Sequence, residues 1–120
     1  GGSAGEGMEK FALALREFIN LHSARNDSLG CFEEVVSLLQ RSQGVAQIYP
    51  PMELQWLVAI AWNNCAFFGK AEQFVWAQRW VGIAIGLLDF CPPLACHRPR
   101  MLEASRTCAQ RLGHAAAAKQ

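Results

Sequence analysis

The sequence predicts an all-α fold, and three observations support that class. Apolar residues recur every three or four positions along five separate stretches, which is the spacing of a helix with a buried face. Proline and glycine stand between those stretches, where they interrupt helices. No stretch shows the alternation of apolar and polar residues that indicates a strand. Five helices with short connections predict two antiparallel helical hairpins followed by a C-terminal capping helix.

The first two predicted helices are amphipathic. The first spans residues 8–23 and the second residues 29–42. The apolar stripe of the first helix consists of Phe11, Leu15, Phe18 and His22, and Ile19 widens it. The polar residues that precede the second helix can supply its N-cap, and Gly44 is a natural stop.

Proline sets the limits of the third and fourth predicted helices. Residues 45–49 form a short link, and Pro50 and Pro51 start the third helix because proline is tolerated in a first helical turn. This helix extends to about Gly69. The fourth spans residues 71–90 and is halted by the two prolines that follow.

A fifth helix over residues 100–112 completes the predicted helical domain, which spans residues 8–113. Pro99 lies in the loop before this helix, and Gly113 ends it. Residues 1–7 are expected to be a flexible linker or cloning remnant, and residues 114–120 a flexible tail.

Composition argues against several functional classes. Apolar residues make up 52% of the chain and charged residues 18%, so a domain of this size has more apolar surface than it can easily bury. The net charge of +1 indicates no dominant electrostatic partner. Residues 52–68 and 74–88 are apolar but carry polar side chains, so we expect no membrane span. The basic C-terminal stretch lacks interleaved aromatics. It is interpreted as a solvated face, and direct nucleic-acid binding is not expected.

The cysteines and histidines show no catalytic or metal-binding signature. The five cysteines form no disulfide framework, which favours a reducing, intracellular environment. Cys91, Cys96, His97 and Cys108 do not have the spacing of a known zinc site. The chain also lacks a Gly-rich phosphate loop and a paired acidic motif. We therefore expect no enzymatic activity, no cofactor, no metal and no small-molecule ligand.

The third and fourth helices fit the register of a TPR repeat, a helix–turn–helix unit. The matching small and aromatic positions are Cys65, Phe68, Phe74, Ala77 and Ala84. Two positions depart from the pattern. Val81 replaces the usual aromatic residue, and Asp89 stands where a proline usually ends the repeat. The hairpins are therefore predicted to be TPR-like.

A longer pattern over residues 53–89, about a third of the chain, carries a family resemblance. Its landmarks are Trp56-Leu57 and Trp62-Asn63 in the first helix, and Ala77, Trp80 and Leu88-Asp89 in the second. In these positions the chain resembles the Zip-four/Spo-twenty-two family of meiotic TPR proteins, to which testis-expressed protein eleven belongs. Members of that family are long solenoids, so the chain would be one segment of such a protein.

The resemblance implies a function in protein binding. It implies a nuclear scaffold on meiotic chromosomes that promotes crossover formation and synapsis by holding other recombination or synapsis proteins. No catalytic residue comes with the family. Two alternatives remain open: a generic TPR-like adaptor in the cytoplasm, and a segment that only caps a solenoid or dimerises.

Two surfaces are candidates for partner binding. In the TPR register, Trp62, Ala66 and Lys70 face the concave groove in which TPR domains hold peptides. Alternatively, Trp62 packs against a preceding helix of the same chain. Trp76 lies beside the small residue Ala77 and is the better candidate for an exposed anchor, because exposed tryptophan is common at interface hot spots.

Asn63 and Asn64 lie in the middle of the third helix among apolar residues. A buried amide needs hydrogen-bond partners, so one or both are expected to tie down an adjacent loop. The alternative is that they clamp the backbone of a bound peptide.

Overall fold

The computed structural model describes residues 4–21 and 25–118, and every regular element within them is a helix. The predicted all-α class is therefore confirmed. The α-helices are α1 (Ala4–Leu21), α2 (Leu29–Arg41), α3 (Gln43–Ile48), α4 (Pro51–Lys70), α5 (Phe74–Leu88) and α6 (Arg98–Ala118). Two 3-10 turns, Arg25–Ser28 and Pro92–His97, precede α2 and α6. None of the helices described is long and apolar enough to cross a membrane.

Helices α4 and α5 form an antiparallel hairpin that is closed by a Schellman motif. The Glu72 N–H donates to the Gly69 carbonyl at 3.1 Å, and the Gln73 N–H donates to the Phe68 carbonyl at 2.9 Å. Glu72 has a φ of 59°, a left-handed conformation that glycine usually takes at this position. The tight turn holds the two helices side by side, and they make the most extensive helix–helix contact in the structure.

Trp80 of α5 joins three elements of the core. Its side chain is fully buried, and its ring meets Phe32 of α2 edge-to-face at 5.1 Å. The indole Nε1–H donates to Asn26 Oδ1 at 3.0 Å, which anchors the first 3-10 turn. Nearby, a Cβ built on Gly86 would lie 2.9 Å from Val36 Cγ1, so α2 and α5 are in close contact at this glycine.

The short helix α3 was not expected from the sequence. It occupies most of the segment predicted to be a link, residues 45–49, and it includes Gly44, which was predicted to stop the preceding helix. Ser42 explains the difference. Its hydroxyl accepts a hydrogen bond from the Val45 N–H at 3.3 Å, so a new helix starts directly after α2 ends. The described chain therefore has six α-helices and not five.

The termini are more helical than predicted. Helix α1 begins at Ala4, inside the predicted linker 1–7. Helix α6 does not end at Gly113 but continues to Ala118, because the alanine run that follows is a strong helix former and outweighs one glycine. The predicted flexible tail 114–120 is thus helical as far as Ala118. Residues 1–3, 22–24 and 119–120, which include His22 of the predicted stripe, lie outside the described residues.

The connection between α5 and α6 also differs from the prediction. Helix α5 ends at Leu88, two residues early, and a turn leads to the 3-10 segment Pro92–His97. Helix α6 begins at Arg98, so Pro99 lies within its first turn and not in a loop. Proline suits that position because a first-turn amide has no partner within the helix.

Helix α1 packs with a face that overlaps the predicted stripe at Leu15 and Ile19 but is rotated away from its two phenylalanines. Ala12 and Ile19 are the buried residues of α1, whereas Phe11 and Phe18 of the predicted stripe are 44% and 40% exposed. The small Ala12 lets α1 approach closely, and at 100° per residue the two phenylalanines then fall to one side of the contact. Phe11 still touches the buried Tyr49 edge-to-face at 6.4 Å.

Candidate functional site

A cleft runs between α4 and α6, both of which pack against α5. Its larger part has a volume of about 600 Å³ and its smaller part about 390 Å³, and both parts are lined by Trp62 and Arg100. We call this space the α4–α6 cleft. The α4 residues that line it are Gln55, Val58, Ala59, Trp62, Cys65, Ala66, Gly69 and Lys70. The α6 residues are Arg100, Met101, Glu103, Ala104, Thr107, Cys108 and Arg111.

The order of these lining residues shows that α4 and α6 run parallel. Gln55, early in α4, lines the same part as His97, just before α6. Lys70, at the end of α4, lines the same part as Arg111, late in α6. Small side chains on both walls, such as Ala66 and Ala104, leave room between the two helices. The cleft therefore extends along several turns of each helix.

The floor of the cleft is apolar. Trp62 is half-buried at the junction of its two parts, while Cys65 and Cys108 are buried beneath the larger part. In the smaller part the buried Val58 and Met101 supply the apolar surface. An apolar floor open to solvent favours the binding of another apolar surface, because binding removes that floor from water.

The rim of the cleft carries more positive than negative charge. Lys70, Arg100 and Arg111 line it, and within the described residues none of them forms an ion pair. The Arg111 guanidinium lies 5.9 Å from the centre of the Phe74 ring. The acidic residues of the rim are Glu72 and Glu103.

One of these two acids is already neutralised. Glu103 accepts hydrogen bonds from the guanidinium of Arg106, one turn further along α6. Both side chains of this pair are about two-thirds exposed, so it lies at the surface. Glu72 is therefore the one acid of the larger part without an ion pair in the described chain.

The cleft thiols are poorly suited to chemistry. Burial raises the pKa of Cys65 to about 11, and the neighbouring Cys108 adds to the rise. Burial also raises the pKa of Cys91 and Cys108. All three are thus protonated at neutral pH, whereas nucleophilic attack and metal binding require the thiolate. Within the described part of the chain, no three His, Cys, Asp or Glu side chains are placed to hold a metal ion.

Three of the four predicted partner-binding residues lie together. Trp62, Ala66 and Lys70 all line the larger part of the cleft, as the helical spacing indicated. Trp62 faces α6, which lies later in the chain, whereas the alternative expected contact with a preceding helix. Whether these residues bind a partner stays a prediction.

Trp76 lies outside the cleft. It was expected to be an exposed anchor but is half-buried. Its ring packs 6.5 Å from that of Phe68, and the Arg79 guanidinium lies 5.5 Å from its centre. The exposed apolar residue of this turn is Val75, at 57% exposure. The contacts with Phe68 of α4 and Arg79 of α5 cover Trp76. Its position in the helix alone was therefore not enough to predict how exposed it is.

The predicted repeat positions are mostly internal. Those that are buried are Cys65, Phe68, Ala77, Trp80 and Ala84. Trp56 and Phe74 are half-buried. Trp56 is covered by Arg16 of α1, whose guanidinium lies 4.1 Å above the ring and whose Nε donates to Glu53 at 2.8 Å. These contacts hold α1 against α4.

The two neighbouring asparagines of α4 differ in role. Asn64 is buried, and its Oδ1 accepts a hydrogen bond from Arg25 Nη1 at 2.8 Å. The Arg25 guanidinium also lies 4.1 Å from the centre of the Phe67 ring. Asn64 thus ties down the adjacent 3-10 turn, as expected for one of the pair. Asn63 is exposed, so it does not share the internal position predicted for it.

The α6 wall was missed in the sequence analysis. The basic C-terminal stretch was interpreted as a solvated face, and its Arg100 and Arg111 are exposed, but these two arginines also line the cleft. Arg98, by contrast, pairs with Asp89 at 2.6 Å at the start of α6. A signal was available, since Arg100, Glu103, Thr107 and Arg111 recur at helical spacing. It became informative only once α6 was placed beside α4.

The chain matches no family model, no curated protein and no solved structure. The resemblance to the meiotic TPR family therefore rests on the sequence pattern described above and stays a prediction. The geometry of the cleft is independent of that resemblance.

Proposed function

We propose that this chain is a protein-interaction module that binds a partner protein in the α4–α6 cleft. The observation that carries the proposal is the combination of an apolar floor around Trp62 with a rim of cations that have no ion pair in the described chain. Tryptophan and arginine are the residues most enriched at interface hot spots. The cleft is also large enough to take several side chains of a partner.

Catalysis is a weaker explanation of the same cleft. Its two thiols have raised pKa values and are held protonated at neutral pH. The other ionisable groups that line it are Lys70, Glu72, Arg100, Glu103, Arg111 and His97, and His97 lines the smaller part whereas both glutamates line the larger part. General acid–base catalysis requires such groups to converge on a reacting atom.

A separate and more specific part of the proposal is that the partner is a meiotic protein. The resemblance over residues 53–89 supports a partner among the recombination or synapsis proteins and a place in the nucleus on meiotic chromosomes. It also supports TPR-like hairpins within a longer scaffold that promotes crossover formation. If the partner proves to have no meiotic role, the cleft proposal stands and the chain is a generic TPR-like adaptor.

The second candidate function is a solenoid cap or dimerisation segment. One observation favours it: α1 leaves Phe11, Leu13 and Leu21 exposed, at 44%, 54% and 84%. A helix with such a surface can pack against another helix or a second copy of the chain. The mass of the purified chain in solution, measured by light scattering, distinguishes a dimer that lacks any other partner from a monomer that binds one.

Affinity capture from meiotic tissue, followed by binding measurements with the purified partner, tests the main proposal. The first variant, Trp62→Ala, removes the central side chain of the cleft floor. The second, Ala66→Arg, fills the cleft with a long side chain at an exposed position. Trp76→Ala is the matched control because it removes a half-buried tryptophan outside the cleft. We expect both cleft variants to weaken binding at least about tenfold while the control retains it.

Circular dichroism and thermal unfolding show whether each variant keeps its helices. Ala66→Arg is the more informative variant because it removes no core packing. Full binding by Ala66→Arg and Trp62→Ala would refute the cleft as the site. Loss of binding by Trp76→Ala alone would move the site to the shallow surface around Val75.

A further inference from the structure

We infer that the α4–α6 cleft takes an acidic amphipathic helix of its partner protein. This inference rests on the proposed function and names the chemistry of the bound segment. It follows from three features of the cleft: its length and shape, its apolar floor, and the sign of the charge on its rim.

The shape of the cleft suits a helix. Its walls are two parallel helices, and along α4 its lining extends from Gln55 to Lys70. At 1.5 Å per residue, this stretch is roughly 22 Å long, the length of about four helical turns. A helix laid in such a groove inserts side chains from positions i, i+3, i+4 and i+7.

The floor suits one apolar stripe on that helix. Trp62 stands between the two parts of the cleft, so it divides the floor into successive apolar surfaces. Ala66 and Ala104 flank the larger part and leave space for bulky side chains. Leu94 closes the smaller part from the 3-10 segment. Large apolar residues one or two turns apart on the partner would fill both parts.

The rim selects for negative charge. Lys70, Arg100 and Arg111 are placed on it without ion pairs in the described chain, while Glu103 is held by Arg106. Glu72 lines the same part as Lys70, and its negative charge offsets one of the three positive charges. His97 lines the smaller part together with Arg100. The whole chain carries a net charge of only +1, so the positive rim is a local concentration. Carboxylates flanking the apolar stripe would complement it.

Nucleic acid is a less suitable occupant of the same surface. Its recognition needs cations that follow a phosphate backbone or a row of exposed rings on which bases stack. The cleft instead has an apolar floor with a single half-buried tryptophan. A single-stranded oligonucleotide is nevertheless included in the test below.

The test uses synthetic peptides of about 16 residues, four helical turns. One has leucines at helical spacing flanked by glutamates, and its matched form has glutamine at every glutamate position. Binding is followed by calorimetry and by tryptophan fluorescence. We expect the glutamate peptide to bind at least about tenfold more tightly than the glutamine peptide, and the difference to shrink as salt is raised.

Protein variants locate the charge effect. Arg100→Gln is expected to remove most of the preference for the glutamate peptide. Arg41→Gln is the control, since Arg41 is an exposed arginine of α2 that pairs with Glu34 and does not line the cleft. Trp62→Ala is expected to weaken both peptides.

The outcomes separate this inference from the proposed function. Equal binding of both peptides that still depends on Trp62 overturns the acidic occupant and leaves the cleft as a protein-binding site. Binding of the oligonucleotide that depends on Arg100, with neither peptide bound, overturns both. The inference is also overturned if neither peptide shows binding that depends on Trp62. It is overturned likewise if Arg100→Gln keeps the full preference for the glutamate peptide over the glutamine peptide.

Discussion

Helices α1 and α5 are similar in length and rich in apolar residues, but they differ sharply in burial. In α5 the buried residues are Ala77, Trp80, Val81, Ile83, Ala84, Leu87 and Leu88. In α1 they are Ala12 and Ile19 alone. The difference arises because α5 lies between α4, α6 and α2, whereas α1 makes far less contact with the other helices of the described chain. Apolar spacing therefore predicts that a helix forms, but neighbouring helices decide how much of it is buried.

The largest test of this comparison is one substitution made in both helices. Leu87 of α5 is fully buried, and Leu13 of α1 is 54% exposed. We expect Leu87→Ala to lower the free energy of unfolding by about 3–5 kcal/mol, because it removes buried methyl groups and leaves a cavity. Leu13→Ala should change it by less than about 1 kcal/mol. Urea unfolding followed by circular dichroism measures both.

A comparable loss in the two variants would show that α1 is packed as tightly as α5. Because the substitution is the same and both sites are helical, intrinsic helix propensity cancels between them. If Leu13→Ala instead weakens binding or self-association without affecting stability, the exposed face of α1 is an interface.

The next test concerns the stability of the protein at alkaline pH, to which the buried thiol of Cys65 contributes. The pKa of Cys65 is raised from 9.0 to about 11, so the folded state holds the thiol proton more tightly than the unfolded state. The stabilisation is complete below about pH 9 and is lost as the pH rises towards 11. Over this pH range we expect the free energy of unfolding of the wild type to fall by roughly 2 kcal/mol more than that of Cys65→Ala. Urea unfolding at several pH values measures the difference.

Cys96→Ala is the control for this pH series. Cys96 is exposed, so its removal should leave the alkaline loss of stability unchanged. The pKa of the buried Tyr49 is also raised, to about 12, by burial and by the charge of Glu53. Ionisation of Tyr49 should therefore lower the stability of every variant equally, and only at still higher pH. Identical pH profiles for wild type and Cys65→Ala would contradict the prediction.

The smallest test concerns the contact between the N-terminal helices and α5. Gly82 and Gly86 lie one turn apart in α5, but a Cβ at Gly82 meets nothing within 4 Å, while one at Gly86 meets Val36 at 2.9 Å. We expect Gly82→Ala to stabilise the protein by about 0.5–1 kcal/mol through helix propensity. Gly86→Ala should show no such gain, because Val36 has little freedom to move. Thermal or urea unfolding measures both.

A double variant decides whether the clash is the cause. In a Val36→Ala background the space beside Gly86 is open, so Gly86→Ala should there recover the gain seen at Gly82. An equal gain from both single glycine substitutions in the native background would show that α2 and α5 are not in close contact at this point.

The limits of sequence reasoning are clearest at the cleft. Trp62, Ala66 and Lys70 could be assigned to one helical face because their spacing within α4 is local information. The opposite wall could not, since Arg100 and Arg111 join the cleft only when α6 folds back beside α4. Trp76 was misplaced for the same reason: contacts with Phe68 and Arg79 cover it.

The sequence by itself determined the all-α class, the start of α4 at Pro51 and most, but not all, of the predicted core positions of α4 and α5. These follow from backbone propensity and from a periodicity of three to four residues, both of which act over a few residues. Only the tertiary structure decided which face of α1 is buried, which of Asn63 and Asn64 is internal, and that α4 and α6 enclose a cleft. Those outcomes depend on contacts between residues far apart in the chain, which no local pattern encodes.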